Sequence, residues 1–179
     1  MSNSLKFKIV ISEKGDESFS AALSFEDVMS IVQNCPDDAK HHEFFALAAR
    51  HPASSVREAV ACKDCLAEET VRELCKDSSI SVLRNLVRSL GFRKYAPEEE
   101  VLRLLGLDSE IAQSVADNLE SFQQLDASEL ASILAEHQDP SVVVRVAGNY
   151  SAPKKIVKGL VGHPDPYVAR QAVERLKEG

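Results

Sequence analysis

Tryptophan is absent from this chain, and aromatic residues make up only 6% of its 179 positions. A core of this composition has to be built from Leu, Val, Ile and Ala, which suits close stacking of helices better than a large β-sandwich. Its seven glycines are scattered and form no phosphate-cradling loop, and neither an HExxH nor a GxSxG motif occurs. No catalytic constellation emerges, so the chain is expected not to be an enzyme and to need no cofactor. Long apolar runs are also missing, and none approaches the roughly 20 residues that span a bilayer. The start, MSNSLKFKIVISEKGD, places Glu13 and Asp16 where a signal peptide would need a longer apolar stretch and a cleavage site. The expected location is cytoplasmic, which argues against structural disulfides among the four cysteines. Positive charge is in deficit: 21 basic against 28 acidic side chains give a formal charge of −7. That balance disfavours a sequence-independent grip on nucleic acid or on anionic lipid.

What the chain does have is repetition. A small apolar block recurs every 26 to 31 residues, anchored on Val56, Val82, Ile111, Val142 and Val168. Three residues before the anchor stand Ser79, Asp108, Asp139 and Asp165, in the place of a helix N-cap. Pro140 and Pro166 follow at the first helical position, where a missing N–H costs nothing. In the first repeat Ala53 holds the cap slot, and Ser54 is expected to cap instead. Four residues after the anchor come Val60, Leu86, Val115, Val146 and Ala172, on the same helical face. The next position holds Ala61, Val87, Ala116, Ala147 and Val173, mostly small side chains that let helices approach closely. Asn118 and Asn149 stand where the first helix ends, a place that favours a left-handed residue.

A second helix follows in each full unit, with core positions Val71/Leu74, Val101/Leu105, Leu130/Ile133/Leu134 and Ile156/Val157/Leu160. Units that open on HPDPxV and close on VAxN, each a helix, a turn and a helix, resemble the leucine-rich-repeat-variant and HEAT-like families of α-solenoids. The resemblance covers residues 44–179 and is strongest in the first and the last two units. It implies a mainly α, right-handed solenoid of about five units, the last one truncated, used as a protein-binding surface without a reaction of its own. Some members of these families assist enzymes, some bind DNA, and some carry an iron–sulfur cluster in a cysteine-bearing N-terminal part.

Residues 1–43 stand apart as an N-terminal cap. LKFKIVI alternates with period two, placing Phe7, Ile9 and Ile11 on one side of a strand. EKGDE supplies a turn, and SFSAAL returns as the second strand of a hairpin. Ser24 caps a helix over FEDVMSIVQN, and Pro36 ends it. An isolated hairpin is marginal, so it must pack on helices or pair with a second copy, which would make a homodimer.

Two residue series invite chemistry. Cys62 and Cys65 form a CxxC pair, with Cys35 as the possible third ligand of a metal or cluster. Cys75, about ten residues further on and near the far end of the next helix, is too far to join them. Buried structural thiols are the simpler expectation. His51, His137 and His163 each fall five residues before an anchor, which points to a structural role such as bonding the last carbonyls of the preceding helix. His41 and His42 are expected to pair with Asp37 and Asp38 at i, i+4, with Cys35 near enough for zinc. The expected partner is another protein, bound on the outward face of the second helices. That face would comprise Glu69, Arg72, Glu73, Lys76, Glu100, Arg103, Glu129, Ser132, Lys155 and Lys158. The alternatives are a metal- or iron–sulfur-binding protein using Cys35, Cys62 and Cys65, and a nucleic-acid module, which the acidic balance disfavours.

Overall fold

The period-two stretch forms the expected hairpin in the computed structural model, which describes residues 6–13 and 16–178. Strand β1 (Lys8–Glu13) pairs antiparallel with β2 (Asp16–Ala22), and part of the expected turn lies outside the described residues. The register slips between Ile11 and Ser12, because Ile11 faces Phe19 while Ser12 faces Glu17. Phe7, at the root, packs edge-on to Phe44 at 6.3 Å and against the His51 ring at 5.7 Å. Beyond that anchor Ile9, Ile11 and Phe19 share one face and are all exposed.

The rest is mainly helical and divides into two compact units, residues 1–91 and 92–179. Twelve α-helices are present among the described residues. The first unit contains α1 (Phe25–Asn34), α2 (His42–Ala48), α3 (Ser54–Ala61), α4 (Glu68–Leu74) and α5 (Ile80–Arg88). The division falls inside the short α6 (Leu90–Tyr95). The second unit continues with α7 (Glu98–Leu105), α8 (Ser109–Asp117), α9 (Ala127–Ala135), α10 (Pro140–Gly148), α11 (Lys154–Gly159) and α12 (Pro166–Lys177).

Within the first unit α1 packs on α3 and α3 on α5, while α2 and α4 lie together behind them. Within the second unit α8 packs on α10 and α10 on α12, backed by α9 and α11. The anchors cause this arrangement. Val56, Val82, Ile111, Val142 and Val168 are buried, and so are their i+4 partners Val60, Leu86, Val115, Val146 and Ala172. Each fully buried Leu or Ile in such a stripe contributes about 1.5–3 kcal/mol relative to leaving it in water. Helix α1 obeys the same spacing with Val28 and Val32, so part of the expected N-terminal cap stacks on α3 as one more first helix. The boundary expected at 43/44 falls inside α2.

The helix starts divide by chemistry. Asp108, Asp139 and Asp165 cap as expected, each carboxylate accepting backbone N–H groups of the first turn. Ser79 and Ser54 do not: Ser79 occupies the N-cap without a side-chain bond, and Ser54 is already the first helical residue. Ser24 makes a complete capping box with Asp27, whose carboxyl the Ser24 hydroxyl and backbone N–H hold below its ordinary value. Most second-helix core positions are buried, including Val71, Leu74, Val101, Leu105, Leu130, Leu134, Val157 and Leu160. Ile156 is only half-buried, and Ile133 departs furthest. It stands 41% exposed on α9.

Candidate functional site

The position five residues before each anchor decides how successive helix pairs are joined. His51, His137 and His163 occupy it, but they do not bond the preceding helix's carbonyls through their rings. Each Nδ1 instead accepts the backbone N–H two residues on, from Ala53 at 3.1 Å, Asp139 at 3.0 Å and Asp165 at 3.1 Å. An N–H donor requires a lone pair on Nδ1, so each ring carries its hydrogen on Nε2. Asp77 takes the same position before Val82 and does the same work with a carboxylate, accepting the Ser79 N–H at 2.8 Å. Before Ile111 the position is Gly106, which has no side chain to offer.

Polar joints differ between the units. In the first, Arg57 on α3 reaches Asp77 with Nε at 2.6 Å and Nη2 at 3.0 Å, while its Nη1 donates to the carbonyls of His51 and Pro52. The side chains of this pair are only 15% and 5% exposed. Burial works against an ionised Asp77, but the Arg57 hydrogen bond and the Ser79 N–H outweigh it and hold the carboxyl below its ordinary value. Buried Lys63 extends its ammonium to the carbonyls of Gln33 and Cys35, at the C-terminal end of α1 where the helix dipole favours a cation. In the second unit asparagines stand at the matching place. Asn149 donates to the Ala116 carbonyl at 2.7 Å, and Asn118 donates to its own helix at Ser114 while accepting from Arg93. Neither asparagine is left-handed, with φ of −75° and −126°. The amide is used for its hydrogen bonds, not for its conformational tolerance.

The cysteines are not all buried. Cys75 is, Cys35 and Cys65 are half-buried, and Cys62 is exposed. Desolvation of the sulfur, with Glu58 adding to it, pushes the Cys62 thiol above its ordinary value. Cys65 Sγ lies 3.5 Å from His42 Nε2. The expected i, i+4 pairs do not form: His41 bonds Asp38 at 2.8 Å, and Asp37 instead accepts the backbone N–H groups of Asp64 and Cys65. Among the described residues no three His, Cys, Asp or Glu side chains converge to hold a metal ion, so Cys35, Cys62 and Cys65 are not assembled as a ligand set.

The ten outward residues expected to meet a partner are exposed, apart from half-buried Glu100. Several are tied to neighbours: Arg72 to Glu68 at 2.7 Å, Arg103 to Glu100 at 2.8 Å, and Glu73 to Arg50 at 3.7 Å. Glu69, Arg72, Glu73 and Lys76 belong to the first unit, and the other six lie on α7, α9 and α11 of the second. None of them lines a groove of about 840 Å³ that opens in the second unit between the ends of α7 and α9.

Gly106, which has no side chain to fill the space, lines that groove. Its apolar wall is Leu102, Leu107 and Ile133, and its rim is Asp108, Ser109, Glu136, His137, Gln138 and Asp139. Leu107 is 52% exposed, although Pro52, Ser78, Gln138 and Pro164 hold the equivalent position in the other units. A Cβ added at Gly106 would meet nothing closer than the Arg103 carbonyl oxygen at 3.8 Å, so the space beside it is open. The hydroxyls of Ser141 and Ser109 hold the Asp139 carboxyl below its ordinary value. No Lys or Arg lines the groove. Periodicity hid this site by marking Ile133 as core. The available signal was the break in the repeat at Gly106–Leu107. No family model, no curated protein and no solved structure matches the chain.

Proposed function

We propose that the chain is a non-enzymatic protein-interaction module whose helix pairs form a right-handed, HEAT-like solenoid, and that it holds a protein partner on its second-helix side. The observation that carries this reading is the packing of successive first helices on one another in chain order within each unit. Stacking of this kind consumes the apolar faces and leaves the outward side of the second helices free for recognition. Among the described residues no helix is long and apolar enough to cross a membrane. Affinity purification with mass spectrometry tests the reading. A reproducible partner is expected, retained at physiological salt and lost by a variant reversing Lys155→Glu and Lys158→Glu or by one carrying Leu107→Asp. A partner indifferent to both variants would count against the second-helix side.

Self-association through the hairpin is a second reading, favoured by the shared exposed face of Ile9, Ile11 and Phe19. Light scattering should then show a dimer that Ile11→Lys dissociates. A monomer at high concentration would remove this reading.

A further inference from the structure

We propose that the groove at Gly106 is a docking site for a short cationic–apolar segment of the partner protein: one large aliphatic or aromatic side chain seated on Leu107 and Ile133, flanked by Lys or Arg facing Glu136, Asp108 and Asp139. This inference rests on the interaction-module reading and names the chemistry of what is bound.

Three observations converge on it. The first is a vacancy of sequence origin. Every other join fills the position five residues before the anchor with an imidazole or a carboxylate, and this one holds glycine, which opens the volume. At about 840 Å³ the groove lies within the roughly 300–1,000 Å³ typical of ligand sites. The second is the exposure of two large aliphatic side chains together. Leu107 and Ile133, 52% and 41% exposed, line the same groove. Such a pair supplies the apolar contact that an anchor residue needs. The third is charge. Three carboxylates and no Lys or Arg stand at the rim, which fits a cationic segment and repels an acidic one. Asp108 and Asp139 are fixed in place by capping α8 and α10, so part of the rim is organised before anything binds. Glu136, the residue that ends α9, is the exposed and adjustable member.

The test begins with selection of a random-peptide phage library on the folded full chain. Synthetic versions of the enriched peptides are then titrated by fluorescence polarisation. Enriched sequences are expected to combine Leu, Ile, Met or Phe with Lys or Arg within two or three residues. Three groove variants should each weaken them by at least about tenfold: Leu107→Asp removes the anchor contact, Glu136→Lys reverses the rim, and Gly106→His fills the space. Gly106 has φ −80°, so histidine fits the backbone, and circular dichroism should show unchanged helicity. Peptides that enrich but ignore all three variants, and instead lose affinity with Lys155→Glu and Lys158→Glu, would overturn the groove while leaving the interaction module standing. Enrichment of acidic peptides would overturn the charge assignment. A wild-type dimer that Leu107→Asp converts to monomer would make a second copy the occupant and overturn the peptide proposal. No enrichment at all would remove the proposal together with the module reading on this side.

Discussion

The two units solve one problem with different materials. Both stack first helices on a stripe of buried Val, Leu, Ile and Ala, and both must satisfy the polar groups where one helix pair passes to the next. The first unit uses charge taken out of water: the Arg57–Asp77 pair and the buried Lys63 ammonium. The second uses neutral amides at Asn118 and Asn149 and leaves its own ion pair, Arg145–Asp117, in solvent at 42% and 44% exposure. Equivalent geometry can therefore rest on interactions of very different sensitivity. Removing one member of a buried pair strands the other, whereas breaking an exposed pair only returns it to water.

The largest expected effect follows directly. Asp77→Ala leaves the Arg57 guanidinium buried with only carbonyl partners and should cost about 3–5 kcal/mol in urea unfolding. Asp117→Ala, the same deletion in the second unit, should cost no more than about 1 kcal/mol. Comparable losses would show that burial does not separate the two joints. Capping gives a smaller contrast. Asp139→Ala removes a carboxylate that accepts the Ser141 N–H and should cost about 1 kcal/mol, while Ser79→Ala, at a cap with no side-chain bond, should stay within about 0.5 kcal/mol.

Acid should separate the units as well. The Asp77 carboxyl is held below its ordinary 3.8, so its contribution is fully present above that value and is lost as pH falls through the lower, folded value. Hydrogen exchange between about pH 4 and 2 should therefore show α3 and α5 losing protection more steeply in wild type than in Asp77→Asn, which has no carboxylate there to titrate. Identical slopes would exclude this linkage. A small effect is also expected for Gly106→His. It restores the side chain found in three other units and should change stability by less than about 1 kcal/mol, read as a shift in the thermal midpoint.

Local physics was legible in the sequence. The anchors, the three aspartate caps and the hairpin follow from periodicity and from the preference of short carboxylates for helix starts, both of which act within a few residues. What escaped depends on distance or on equivalence of function. Asp77 looks nothing like histidine, yet it presents the same lone pair to the same N–H. Asn149 suited a left-handed helix end, but its amide meets Ala116 on another helix, 33 residues back along the chain. The contact of Cys65, in the α3–α4 connection, with His42 at the start of α2 likewise depends on segments brought together by the fold. The groove was hardest to foresee because it lies where a side chain is missing, at Gly106, and Ile133 has the spacing of a core residue without being one.

The slip in register between Ile11 and Ser12 bears on how this protein behaves when crowded. Both strands of the hairpin are edges, and a flat edge rich in Ile, Val and Phe invites growth into fibres. One residue of β2 is left over at the slip, and a bulge of this kind bends and twists its strand, so an added strand meets a straight edge over only a few residues on either side. The slip thus breaks the evenly spaced edge that a strand joining from outside would need for a long continuous ladder.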